Sequence, residues 1–166
     1  MRKIKDNIFI YVGLCVLCIS VGTAVSFVVH ELSHLLMLVI LGGDFDEFSL
    51  FGEMFVGGNV DYQHISIIAL GSIFIPFLIS AVLSLMKNKW VCIFNAGFSV
   101  QTILNIILGF YAHFFIKDIS TQNTYDLALA CNFFKESWII LILCGVISII
   151  QVKIMMESLK TIHKNI

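Results

Sequence analysis

Four long apolar runs, at about 8–41, 65–86, 90–116 and 137–156, constrain this chain more than any other feature, because about 20 such residues in a helix cross the roughly 30 Å of hydrocarbon in a bilayer. Composition points the same way. The chain is 59% apolar and 13% charged. A soluble domain carries about 45–50% apolar and about 25% charged residues, so too little polar surface is available here to cover a water-exposed fold. A formal net charge of −1 with no Lys/Arg-rich block excludes a nucleic-acid partner. Abundant aromatic and β-branched residues exclude disorder. The expected fold is an all-α polytopic membrane protein of about four transmembrane helices, forming one membrane-embedded domain over 1–166.

The first run is longer than the bilayer requires. At 1.5 Å per residue it extends about 50 Å, so it must tilt, protrude or break; Gly22 is the candidate break, and a break would give a fifth span. Its start, Met1-Arg2-Lys3-Ile4-Lys5, imitates a signal peptide, but the apolar stretch is too long for one and lacks a small-residue cleavage site. With four spans, Arg2, Lys3, Lys5, Lys87, Lys89, Lys153, Lys160 and Lys164 share one side and only Lys117 and Lys135 lie opposite. Basic residues are retained in the cytoplasm, so an integral protein of the cell membrane with both termini cytoplasmic is expected. Residues Lys153 to Ile166 read as a solvated end to the last helix or an amphipathic surface extension, with His163 a bystander.

The connection 42–64 holds Asp44, Asp46, Glu47, Glu53 and Asp61 with no basic residue, which suits an outer loop. Gly42-Gly43 supplies a helix stop, and the greasy, glycine-punctuated stretch 45–62 predicts a short membrane-associated β-hairpin. Such a hairpin is either a structural interfacial loop or an edge that binds an extended peptide. The five cysteines lie in or beside apolar runs and read as small apolar filler; Cys15 and Cys18 form a Cys-x-x-Cys pair without the two further ligands a metal site needs.

Within the first run stands His30-Glu31-Leu32-Ser33-His34. Residues four apart share a helix face, so two imidazoles can bind one Zn²⁺ while the glutamate between them takes a proton from metal-bound water. At 100° per residue, Ser20, Thr23, Ser26, His30, Glu31, Ser33 and His34 fall within an arc of about 160°, a polar face on an otherwise apolar helix. Ionisable groups in hydrocarbon are costly and mark function; the competing reading is hydrogen-bonded packing between helices. Catalytic zinc takes a third protein ligand. His34 and His30 lie about 12 and about 18 Å from the helix end near Gly42, which excludes Asp6 at the other end and brings in the connection 117–136. Asp126, opening the stretch Leu127-Ala128-Leu129-Ala130 after Asn123-Thr124, is the choice for third ligand, with an N-cap role as its alternative. Asp118 is next; the hairpin acids and His64 are lesser candidates.

The motif inside an apolar helix, followed by Leu41-Gly42-Gly43 and Val56-Gly57-Gly58-Asn59-Val60, resembles the site-2 protease family of intramembrane zinc metallopeptidases over about residues 20–130. Gly71-Ser72 with Pro76 is similar to that family's small-residue and proline signal, and Asn95 and Asn105 to its asparagine-bearing later helix. The resemblance implies zinc ligation by His30, His34 and an aspartate of a later segment, placed at Asp126, with Glu31 as catalytic acid/base. Asp126 is followed by Leu127 where the family's aspartate precedes glycine. The expectation is therefore a zinc-dependent intramembrane metalloprotease acting on peptide bonds in or near transmembrane segments of membrane-protein or peptide substrates. Asn95 and Asn105 are candidate oxyanion or substrate contacts, or interhelical bonds. The alternatives are a catalytically inactive partner-binding membrane subunit and a metal transporter or sensor.

Overall fold

The computed structural model describes residues 2–47, 55–57 and 62–163. Four long helices carry the architecture: α1 (Arg2–Ile40), α2 (Tyr62–Leu85), α3 (Lys89–Phe115) and, after the short α4 (Ile119–Gln122) and α5 (Asp126–Phe133), α6 (Ser137–His163). All four are long and apolar enough to cross a membrane, the signature of a multi-pass membrane protein.

The helix boundaries follow local chemistry. Helix α1 ends where Gly42 adopts φ +72°, with the Gly43 amide donating to the Leu38 carbonyl at 3.0 Å and the Gly42 amide to Val39 at 3.2 Å. This is the left-handed terminus that satisfies the last carbonyls, and it realises the Gly42-Gly43 stop. Asn88 caps α3 by accepting from the Trp90 amide at 2.9 Å. Beyond α1, β1 (Asp44–Glu47) and β2 (Phe55–Gly57) pair antiparallel, Phe45 opposite Val56, with an irregularity between Phe45 and Glu47. The expected membrane-associated hairpin over 45–62 is not supported at that length. Four residues pair with three, and 48–54 and 58–61 lie outside the described residues.

Helix α3 is the hub and packs on α1, α2, α5 and α6. The expected break at Gly22 does not occur: α1 is one helix of 39 residues. Gly22 instead lets two backbones meet. A Cβ on Gly22 would run into the Phe94 carbonyl oxygen, and one on Gly97 into the Ile19 carbonyl oxygen. Small residues permit such crossings in lipid, where packing replaces the hydrophobic effect as the force between helices. Thr23 fastens the crossing from the side, its hydroxyl 3.0 Å from the Gly97 carbonyl.

The short α5 wedges among α2, α3 and α6, burying Leu127, Ala130 and Cys131 against Ile73, Ile106 and Ile140. Gly109 of α3 receives the Leu127 side chain, which a Cβ there would displace. All five cysteines are free thiols, Cys18 half-buried and the other four buried, and burial pushes the Cys131 thiol up to about 11. A buried polar layer ties α2, α3 and α6 together. Asn95 Nδ2 donates to the Ser80 carbonyl at 3.0 Å, the Ser80 hydroxyl to Asn95 Oδ1 at 2.8 Å, and Gln151 Nε2 lies 2.8 Å from both the Ser80 and Ser99 hydroxyl oxygens.

The crossing makes a direct expectation. Gly22→Val or Gly97→Val will lower the stability of the detergent-solubilised protein by about 1–3 kcal/mol, as overpacking does. Gly13→Ala, where nothing lies within 4 Å of the added carbon, will be neutral or stabilising in the same thermal melt.

Candidate metal centre

The site assembles from four helices. On α1, four residues bring His30 and His34 a full turn apart on one face, their rings edge to face with centroids 5.0 Å apart. Both are buried, as are Ser26 and Ser33 on the same face, whereas Ser20 is exposed and the expected polar face is not inward along its whole length. The fixed point opposite is Asp126, first residue of α5. Its Oδ2 lies 3.0 Å from His30 Nε2 and its Oδ1 3.2 Å from His34 Nε2. Tyr125, not Asp126, occupies the N-cap position of α5, and no side chain caps that helix. The Asp126 carboxylate is thus turned away from capping and toward the imidazoles.

Second partners orient each group. His30 Nδ1 is 3.2 Å from the Ser72 carbonyl oxygen of α2, and the His34 ring hydrogen-bonds the backbone of Ile68. Asn105 of α3 donates through Nδ2 to Asp126 Oδ2 at 2.9 Å, and the Ser72 hydroxyl lies 2.8 Å from the same oxygen. Glu31 is only partly covered, with Oε1 3.9 Å from His30 Nε2.

One ligand atom from each of His30, His34 and Asp126 lies within 4.8 Å of the others. Ligands at about 2.0–2.2 Å from a tetrahedral ion sit about 3.4 Å from each other, close to the spacing between Asp126 and each imidazole nitrogen. The donor arrangement fits a cation chemically too. A His30 tautomer that donates from Nδ1 to the Ser72 carbonyl turns an Nε2 lone pair toward a carboxylate oxygen 3.0 Å away. Two lone pairs face to face repel unless a proton or a positive ion lies between them.

Of the residues singled out in the sequence, the structure brings together His30, Glu31, His34, Asp126 and Asn105. Asn95 belongs instead to the Ser80 and Gln151 layer, ten residues or about 15 Å along α3 from Asn105. Asp118 is exposed at the start of α4, accepting from the Ser120 and Thr121 hydroxyls, both at 2.6 Å, and from the Thr121 amide at 3.1 Å. His64 opens α2 outside the cluster, Asp44 is exposed, and the side chains of Asp46, Glu47, Glu53 and Asp61 lie outside the described residues. The sequence reading did not assign Ser72 to the site. Its signal was a polar residue beside Gly71 in an apolar run, which marks an inward face without saying what it touches.

The bonds from Ser120 and Thr121 hold the Asp118 carboxyl down at about 2. Because the folded value lies below the ordinary one, the support that Asp118 gives α4 is complete above the normal carboxylate range and is lost as pH falls toward about 2. A carboxyl titration followed by NMR will place its midpoint near that value, and Asp118→Ala will loosen α4 without disturbing the His30–Asp126 contact.

The chain matches no protein-family model, no curated protein and no solved structure.

Proposed function

We propose that this chain is an intramembrane zinc metalloprotease of the site-2 protease kind, hydrolysing peptide bonds in or near transmembrane segments of membrane proteins. The observation that carries the reading is the convergence of Asp126, from a short helix 92 residues away in sequence from His34, on both imidazoles of a His-Glu-x-x-His helix. Packing between helices accounts for one such bond, but it does not call for two histidines, an aspartate and a neighbouring partly open glutamate at one point.

His30, His34 and Asp126 would hold the ion. When bound, zinc supplies Lewis-acid chemistry, polarising a carbonyl and acidifying water. The protein's own residues do the rest. Glu31 takes the proton from the attacking water as its oxygen bonds to the scissile carbonyl carbon, and delivers that proton to the amine as the C–N bond breaks. Ser72 and Asn105 fix the Asp126 carboxylate, and both also flank His30 Nδ1, the Ser72 carbonyl oxygen at 3.2 Å and Asn105 Nδ2 at 3.3 Å. A peptide bond inside a membrane helix is internally bonded, so substrate must unwind locally. The distribution of lysines and arginines supports cytoplasmic termini, with the site nearer the opposite face of the cell membrane.

Purified wild type will carry about one zinc per chain, the stoichiometry of a single three-ligand site. His30→Ala, His34→Ala and Asp126→Ala will lose the metal, and Asp118→Ala will keep it. Glu31→Gln will retain zinc yet lose cleavage of a reconstituted transmembrane substrate. Metal-free wild type, or full cleavage by Glu31→Gln, overturns the assignment. Removing an outer partner by Ser72→Ala or Asn105→Leu will weaken zinc affinity by about 10–100-fold, measured by competition with a chelator.

A further inference from the structure

A second site lies away from the metal centre, where α1 and α3 part. The two backbones touch at Gly22 and Gly97. Toward the N-terminal ends of both helices, Leu14, Leu17, Cys18 and Val21 of α1 stand beside the large Trp90 and Phe94 of α3. The result is an apolar groove of about 320 Å³. It is wide open along its side, and most of its walls are exposed: Leu17 by 59% and Trp90 by 40%.

The groove ends in a polar, cationic mouth. The Lys89 ammonium sits 4.2 Å from the centre of the Tyr11 ring and 5.8 Å from that of Trp90. The Tyr11 hydroxyl is buried there with no hydrogen-bond partner among the described residues. Lys87 stands exposed two residues before Lys89 in the connection between α2 and α3. Tyr and Trp beside lysine at the start of a spanning helix mark the headgroup level of a bilayer. One end of the groove is therefore matched to hydrocarbon, and the other lies beside the positive charges of Lys89 and Lys87.

We propose that this groove binds one anionic glycerophospholipid, with an acyl chain lying against Leu14, Leu17 and Val21 and the phosphate at the Lys89 ammonium. The charge of the mouth selects the occupant over a zwitterionic lipid, and the continuity of an apolar wall with a single polar end selects a lipid over a peptide. The inference is independent of any catalytic role of the metal centre.

The test uses Trp90 as its own reporter. In a Trp138→Phe background, which removes the chain's other tryptophan, the protein is reconstituted into phosphatidylcholine vesicles containing a minor fraction of brominated-chain phosphatidylglycerol or brominated-chain phosphatidylcholine. Trp90 emission will be quenched with an apparent preference of about fivefold for the anionic lipid, the size expected of one basic residue near an anionic surface. Lys89→Gln will abolish the preference and Lys89→Arg will keep it. Cys18→Phe, filling the groove, will reduce quenching by both lipids. Equal quenching by the two lipids in wild type overturns the proposal. So does a preference unchanged in Lys89→Gln, or a Cys18–Cys18 crosslink in wild-type vesicles showing that a second copy fills the groove.

Discussion

The contact on which the molecule turns is the Asp126 carboxylate seated between His30 and His34. Ionisable groups at this depth cannot be left to themselves, since each would lose its hydration without recompense. Placing them together gives each a partner, with a proton or a cation between carboxylate and imidazole, and ties α5, packed among α2, α3 and α6, to α1. The docking is apolar on its remaining sides: Leu127 enters the gap left by Gly109, and Cys131 packs toward α6. One short helix thereby joins the polar centre to the greasy core, so chemistry and packing depend on the same eight residues.

The Ser80, Asn95, Ser99 and Gln151 layer solves a related problem without ionisable groups. Its members are amides and hydroxyls that bond one another across α2, α3 and α6, far from the carboxylate. In a lipid environment such bonds fix rotation and height between helices whose apolar surfaces are otherwise interchangeable. The α1–α3 pair is registered differently, by backbone contact at two glycines and by Thr23. The bundle thus combines two kinds of registration around a common central helix.

Much of this was legible in the residues. Length and hydropathy located the four long helices to within a few positions, save that α1 begins near the chain start and α6 runs on to His163, seven residues past the expected end. The glycine pair at 42 and 43 marked where α1 stops, and the His30 to His34 spacing marked its polar face. Asp126 was separable from Asp118 because it opens an apolar stretch, and the structure brings Asp126 alone of the two to the imidazoles. What was not legible depended on register between helices. Gly22 looks the same in sequence whether it breaks a helix or admits a neighbour, and only Phe94 across the interface decides. Asn95 and Asn105 are chemically identical, and the height of α3 relative to α1 determines which of them meets His30. Ser72 needed the same information.

The unbroken run of α1 makes one rigid helix of the stretch from its meeting with α3 at Gly22 to the histidines, where α2 and α5 hold it. From residue 22 the distance to Tyr11 is about 16 Å and the distance to His34 about 18 Å. One continuous backbone therefore carries both the groove residues Leu14 to Val21 and the histidine pair.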